Sequence, residues 1–519
     1  MLVLSVGPDK TPENLLAFLD AYEVTMLNAR RAGVFVAQAI GNDGPAPSSA
    51  VSYSPWVVGV GSCNTDRVYP SILHLGNGVR VEGVGLSNGL LEYKKIVFAE
   101  DAGRLNDVFL RTEDGAVECQ DPEAFDPSLV ADRIIICTFS MGFNNGTSKL
   151  SSIVSTALSM KIAGFVLIAN PSYGDFIAEP IPYAVPGILI PKVDNAKIVK
   201  EYYEKEVKMR GNGGKPQFCG TAAIGEGRVA SFAEKAPVVS RLSSRGPVSF
   251  GAGKALADVL KPDIIAPGHQ IWAAWSADSA MEPLLIGEDF ALFSGTSMAA
   301  PHIIGIASLV KQQHPSWTPS MIASAISTTA RRFDSNGDVM HSEGYNPNNL
   351  ISSSYFDFGA GLANPSLAVD PGLVFPADFH DYMKFLCSLP NVSHAKIKSA
   401  TGIAGCKEGF SHPADLNLPS VTISELRGRL VIQRILQNVG KRPEIYVCSV
   451  IPPDGTTVKL SPTWFKVPTQ GIQDLEIEFR VYQVKKVYTY GEIVLTGSSG
   501  HIVRVPVSVL PVSLTKLEH

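Results

Sequence analysis

The sequence predicts an α/β chain: a parallel sheet with helices on both faces, interrupted by a compact inserted domain and followed by a β-sandwich. Three observations predict it. Apolar strand-length runs alternate with an amphipathic helix near the start, the same alternation resumes after a block of short strands and Gly-rich turns, and the final stretch alternates apolar and polar residues with a period of two. At 519 residues the chain also exceeds the ~300 that one hydrophobic core normally serves, so several domains are expected.

LVLSV reads as a buried strand that begins on the first residue. Pro12 and Glu13 open a helix that places Leu15, Leu19, Tyr22 and Met26 on one stripe, and Gly33 stops it before the strand VFVAQAI. A further strand, WVVGVGS, follows. From about Cys63 the pattern changes to HLGNGVRVEGVGLS, RIIICTF, a Ser-rich helix near 151–163, GFVLIAN, GILIP and the charged helix NAKIVKEYYEKEVK. Strand and helix alternate once more from APVVSRLSSRGP and KPDIIAPG. A helix rich in Gly and Ala comes after Ser297, and another starts at Thr318-Pro319, a cap followed by a proline suited to the first turn. Past Asp370-Pro371-Gly372 a connecting region leads to an all-β end, where Leu475, Ile477, Phe479 and Val481 alternate with Glu476, Glu478 and Arg480, and turns such as Pro453-Asp454-Gly455 separate the strands. The expected domains are therefore 1–63 with 222–375, split by 64–221, then a connecting segment 376–414 and a sandwich over 415–519.

With 45% hydrophobic and 18% charged residues, the composition is that of a globular chain, and 46 Gly with 36 Pro fit a turn-rich fold. A net charge of -5 argues against nucleic acid as a partner. No run of 18 apolar residues exists, so no membrane span is expected, and MLVLSVGPDK lacks the basic and apolar regions of a signal peptide. Cys63, Cys119, Cys137, Cys219, Cys387, Cys406 and Cys448 form no CxxC pair. They give no zinc signature, and their number does not fix any disulfide pairing. No metal and no cofactor is expected. The triplets beginning at Asn145 and Asn391 would permit glycosylation, at about the frequency chance gives.

Two segments carry chemistry. In FSGTSMAAPHIIGIASLV, Ser297 stands between a tight Gly-Thr turn and a helix of small residues, so its hydroxyl and N–H lie at a helix N-terminus, where unpaired N–H groups favour developing negative charge. That suits a nucleophilic serine passing through a tetrahedral oxyanion. In AIGNDGP, Asn42 follows a buried strand and a glycine, at the strand end where α/β sheets hold ligands. Its amide could donate to that oxyanion, a contact worth ~3 kcal/mol in the transition state. Each segment alone also fits a plainer role, Ser297 as a residue near a helix cap and Asn-Asp-Gly as a turn.

Together, FSGTSMAAPH resembles the nucleophile motif and AIGNDGP the oxyanion-asparagine motif of the subtilisin-like serine proteases (subtilases), with SSRGP and KPDIIAPG matching two further signatures in order. More specifically, the chain resembles the plant subtilases, in which a protease-associated domain interrupts the catalytic domain and a fibronectin type III-like sandwich closes the chain. The resemblance implies Ser297 as nucleophile, with the Asn42 amide and the Ser297 N–H as the oxyanion hole. It implies Ser5, Val6 and Gly7 as the strand that pairs with an extended polypeptide substrate, and Ala39, Ile40 and Gly41 as part of the primary specificity pocket wall. An extracellular site, apoplast or cell wall, is implied by the family alone; without a signal peptide the chain would stay in a reducing cytosol.

The resemblance breaks at the triad. A subtilase needs an Asp on an early strand and a His in a Gly-His-Gly-Thr-His motif, both before the LSVGP strand. None of the ten histidines has that context, and His302, five residues after Ser297, belongs to the nucleophile helix. The expectation is an incomplete catalytic domain with an exposed sheet edge, prone to aggregate and inactive alone. In subtilisin itself, loss of the base histidine lowers kcat by about 10⁶, roughly 8 kcal/mol. The alternative is a non-catalytic relative that binds proteins or peptides.

Overall fold

In the computed structural model, the described residues are 1–514 except 9, 104–116, 179–180, 211–215, 219, 233–234, 251–257, 280–284, 347–348 and 404–407. Cys219, Cys406 and His519 lie outside them, as does the side chain of Asn145.

The first layer is a sheet in which β1 (Leu2–Leu4), β2 (Val36–Ala39) and β3 (Val58–Asn64) run parallel, β1 pairing β2 from Leu2↔Val36 to Leu4↔Gln38. β1 pairs on one side only among the described residues, and Val3 is 37% exposed. The strand read as buried is thus an edge strand among the described residues, in line with the exposed sheet edge expected of this domain. The helix expected from Pro12 is also different: a 3-10 turn covers Leu15–Leu19, and α1 (Ala21–Arg31) starts only after Asp20, whose carboxylate accepts from Glu23 N. That cap breaks the stripe, so Leu15, Phe18, Met26 and Leu27 are the buried positions.

Seven strands then close a barrel: β4 (Pro70–Leu75), β5 (Arg80–Val84), β6 (Leu90–Phe98), β7 (Ile134–Thr138), β8 (Gly164–Ile168), β9 (Gly187–Ile190) and β10 (Thr221–Ile224). Helices α2 (Leu150–Ser159) and α3 (Val193–Tyr202) flank it, and β7, β8 and β9 are mutually parallel. These three strands are buried at every position, which is why they read as unbroken apolar runs. Cys119 and Cys137 are joined by a disulfide beside the barrel core, and Cys387 is also disulfide-bonded.

The chain then returns to the first sheet. β11 (Val238–Val239) pairs the end of β3, and β12 (Ile264–Pro267) lies parallel to β3. A hairpin of β13 (Ile271–Ala274) and β14 (Phe290–Phe293) leads into α4 (Thr296–Gln313) and α5 (Pro319–Thr328), and β15 (His341–Glu343) and β16 (Leu350–Ser352) extend the sheet. Both faces of the sheet are covered. Ala37, Val58, Val60 and Ile264 pack under Ala299, Ile303 and Val310 of α4, while Val36 and Ile40 face Met26 and Leu27 of α1.

Residues 376–414, expected as a connection, hold α6 (Phe379–Ser388) and α7 (His394–Thr401), whose Phe385 and Ile397 enter the same core as Phe18. Phe18 meets Tyr53, Trp56, Phe250 and Phe385 at ring separations of 5.2 to 5.8 Å. A sandwich ends the described chain: β17 (Leu373–Val374), β19 (Arg429–Asn438), β21 (Thr456–Ser461) and β23 (Ile472–Val481) form one sheet. β18 (Val421–Arg427), β20 (Glu444–Ile451), β22 (Trp464–Val467), β24 (Thr489–Gly497) and β25 (Ile502–Val512) form the other. Leu475, Ile477 and Phe479 point into its core as the alternation requires. No helix among the described residues is long and apolar enough to cross a membrane.

A buried lysine and a half-buried aspartate tie the halves of the first domain together. Lys261, fully buried, donates to Val57 O at 2.7 Å and pairs with Asp263 at 2.5 Å, and Asp263 accepts from Gly59 N at 2.7 Å. The Lys-Pro-Asp signature therefore fastens β12 to β3. Nearby, burial pushes the Glu23 carboxyl up to about 7, against a hydrogen bond from Ser54 that favours its ionised form. A raised carboxyl pKa stabilises the fold fully below about pH 4.5 and progressively less as pH rises through about 7. Glu23→Gln should remove that slope, leaving the variant more stable than wild type by about 3 kcal/mol at pH 8 and near parity at pH 4. Urea unfolding at both pH values checks this, and parallel pH profiles for the two proteins would refute it.

Candidate active site

The C-terminal ends of β1 and β2 and the N-terminus of α4 meet at one point. Asn42 follows β2, and its side-chain Oδ1 accepts from Thr296 N at 2.9 Å and from Thr296 Oγ1 at 2.9 Å. A backbone N–H can only donate, so the Asn42 atom facing it must be oxygen. The amide Nδ2 is thereby turned the other way, with no protein hydrogen bond among the described residues. Ser297 N, in the first turn of α4, is likewise a donor without a partner there, as helix geometry requires. The two donors flank Gly295: a Cβ built on that residue would lie 3.7 Å from Asn42 Nδ2 and 3.7 Å from Ser297 N. An anion placed beside Gly295 would meet both, at the positive end of an 18-residue helix.

The Ser297 hydroxyl is half-buried and donates to Ser5 O at 3.1 Å, while Ser5 Oγ donates to Ser297 O at 2.9 Å. The second bond depends on Pro301. Having no N–H, it leaves the carbonyl four residues back, that of Ser297, without its helical partner, and Ser5 takes the place. A proline inside the helix thus becomes a docking point for the strand end. His302, exposed on α4, donates through Nδ1 to Met298 O at 2.8 Å, one turn back along its own helix. Among the described residues no imidazole or carboxylate hydrogen-bonds to Ser297 Oγ.

The remaining residues expected at the site separate into two groups. Ser5, Val6 and Gly7 are exposed just beyond β1, held among the described residues by Gln38 Nε2 donating to Val6 O at 3.2 Å besides the Ser5 contacts, so an open backbone edge lies beside the hydroxyl. Gly41 is half-buried, but Ala39 is 6% exposed and Ile40 fully buried. Ile40 N donates to Val60 O, and Ile40 O accepts from Val51 N. Its main chain is used up within the core, so it supports the site from below. Asn391 is exposed, with a left-handed backbone before α7.

Sequence reasoning gave no role to Thr296 or Ser244, and both hold Asn42 in place. Thr296 Oγ1 also accepts from Gly41 N at 3.3 Å, while Ser244 N donates to Gly41 O at 3.0 Å and Ser244 Oγ accepts from Asp43 N at 3.1 Å. The signal was available in the SGTSM and SSRGP strings, whose hydroxyl residues outnumber what a turn or helix start needs.

Residues 3–361 match the subtilase family and residues 415–509 a fibronectin type-III domain. The chain is 55% identical over 515 residues to Subtilisin-like protease SBT2.4 of Arabidopsis thaliana, covering 98% of this chain and 62% of that protein. It is 38% identical to Subtilisin-like protease SBT2.5 of the same plant, over 98% of this chain and 63% of the relative. The chain therefore spans a little over three fifths of the length of the relatives it matches.

Two glycine substitutions should shift stability in opposite directions. Gly41 has φ +114°, and an added Cβ would sit 2.7 Å from Ser244 Oγ, so Gly41→Ala should destabilise by about 1–3 kcal/mol. Gly305, mid-helix and exposed with no atom within 4 Å of a built Cβ, should gain about 0.5–1 kcal/mol as Ala. Urea midpoints of the two variants test the site's reliance on this turn; equal shifts would refute it.

Proposed function

Because the chain belongs to the subtilase family, we propose that residues 1–519 carry the nucleophile and oxyanion half of a serine endopeptidase acting on polypeptides. Ser297 Oγ attacks the scissile carbonyl carbon, and its proton passes to a histidine base that is not one of these 519 residues. The carbonyl oxygen becomes the oxyanion and takes hydrogen bonds from Asn42 Nδ2 and Ser297 N. Collapse expels the amine with a proton from the base, and water then cleaves the acyl-enzyme ester and regenerates the hydroxyl. The open edge at Ser5–Gly7 receives the extended segment before the scissile bond, and Gly41 borders the pocket for its last side chain.

The observation that carries this reading is the orientation of Asn42. Its oxygen is engaged by both Thr296 donors, which presents the amide N–H₂ beside Ser297 N with no reorganisation needed during reaction. The closed barrel supports assigning residues 64–221 to an inserted protease-associated domain. The Cys119–Cys137 disulfide supports an extracellular, oxidising location. A second reading, a non-catalytic peptide-binding relative, draws support from Ser297 Oγ, which among the described residues is engaged with the Ser5 carbonyl and no side chain.

Residues 1–519 alone should show hydrolysis of denatured protein no faster than Ser297→Ala. Extending the chain at its start with an Asp-bearing strand and a Gly-His-Gly-Thr-His helix should switch on hydrolysis. Ser297→Ala should abolish that activity, and Asn42→Ala should lower kcat by about 10²–10³. Hydrolysis by the unextended protein that Ser297→Ala removes would overturn the proposed dependence on an added base. An extended chain that folds, binds peptide and cleaves nothing would favour the binding module.

A further inference from the structure

One cavity adjoins the site on the side of Asn42 and a second adjoins the first, and none of Ser5, Val6 or Gly7 lines either. The first, about 410 Å³, runs from Asn42 and Gly44 past Leu242 to the barrel residues Phe176 and Ile177. The second, also about 410 Å³, lies at the end of the barrel strands and is walled by Phe139, Phe143, Leu167, Ile181 and Leu189, with Arg241 and Tyr345 from outside the barrel. Asp175, Phe176, Ile177 and Arg241 line both, so the cavities form one trough with Phe176 at its waist.

The far pocket sits where ligands are usually held. Phe139 directly follows β7, and Leu167 and Leu189 are the penultimate residues of β8 and β9, so the pocket opens at the C-terminal ends of three parallel strands. Its wall is preformed: the Phe139 ring stacks on Phe143 at 5.2 Å and 16°, and on Phe176 at 4.3 Å and 3°. Charge does not select the occupant. Lys192 and Arg241 are balanced by Asp175, which accepts from Val193 N at 2.8 Å, and by Glu343, which accepts from Asn64 Nδ2 at 2.6 Å and Arg241 N at 2.7 Å. Selection falls on apolar shape, and the volume suits one large side chain with its flanking backbone.

We propose that this trough is a specificity subsite for the segment of a polypeptide substrate that follows the scissile bond, with the barrel pocket accepting one large apolar or aromatic side chain. The inference rests on the endopeptidase reading. There the segment before the bond runs along Ser5–Gly7 and the reacting carbonyl lies between Ser297 and Asn42, which leaves the space beyond Asn42 to the departing segment. Phe176 and Ile177 act as positioning residues, since neither touches the reacting atoms.

The test compares peptides carrying Phe or Ala at each of the first six positions after the bond, cleaved by the base-extended chain. One position should favour Phe by about tenfold in kcat/KM. Phe176→Ala and Ile177→Asp, the latter at a residue already 41% exposed, should erase most of that preference. Neither should alter hydrolysis of a fluorogenic substrate that ends at the scissile bond. Equal rates at all positions, a preference confined to the residue before the bond, or equal slowing of the short substrate would overturn the subsite. If the extended chain cleaves nothing, the endopeptidase reading fails separately. The subsite is then judged by fluorescence anisotropy of the same labelled peptides on the 519-residue Ser297→Ala protein. Tighter binding of one Phe peptide that Phe176→Ala removes sustains it, and equal Kd values overturn it.

Discussion

The Asn42 side chain joins the end of β2 to the start of α4, and the geometry of the site depends on that junction. One oxygen accepts from the backbone N–H and from the hydroxyl of Thr296, a residue that is itself fully buried. A single contact therefore satisfies a first-turn donor of the helix and aims an amide outward, two results that would otherwise need separate residues. Gly41 permits it, because only a residue that tolerates φ +114° can turn the chain out of β2 while remaining against Ser244. The strand end on the other side is held through Pro301, whose missing N–H leaves the Ser297 carbonyl to Ser5.

That junction needs a rigid base, and the base is assembled from distant parts of the chain. β2 and β3 come before the barrel, β12 and α4 after it, and the buried Lys261–Asp263 pair stitches them by binding Val57 O and Gly59 N. A buried charge left unpaired costs several kcal/mol, so each member of the pair requires the other and both require β3 in register. The helices of residues 376–414 complete the layer by filling the space around Phe18 and Trp56. The barrel and the sandwich keep their own separate cores, and Phe176 and Ile177, between two barrel strands, line the cavity that Asn42 borders.

Much of this was legible in the residues. Strands buried on both faces, such as β7 to β9, appear as unbroken Ile, Val and Leu runs, and the sandwich strands show their period of two because one face is wet. Ser297 and Asn42 drew notice through the resemblance of FSGTSMAAPH and AIGNDGP to the subtilase motifs, since each segment alone also fits a helix cap or a turn. Signals governed by neighbours were not legible. The run from Pro12 has helical spacing yet breaks at Asp20, where a side-chain cap outcompetes the stripe. Residues 376–414 contain helices whose purpose is visible only once Phe18 is in place.

The sequence by itself determined the order of most elements and the nature of each core, because these follow from local periodicity and from glycine and proline constraints, and its motifs resemble those of the subtilases. Only the tertiary structure decided which way the Asn42 amide points, that Pro301 frees a carbonyl for Ser5, that Ile40 lies beneath the site, and that a stacked phenylalanine pocket shares lining residues with the cavity beside Asn42. The physical reason is that hydrogen-bond direction and cavity shape are properties of groups brought together from far along the chain, 254 residues apart for Asn42 and Thr296. No local pattern encodes them.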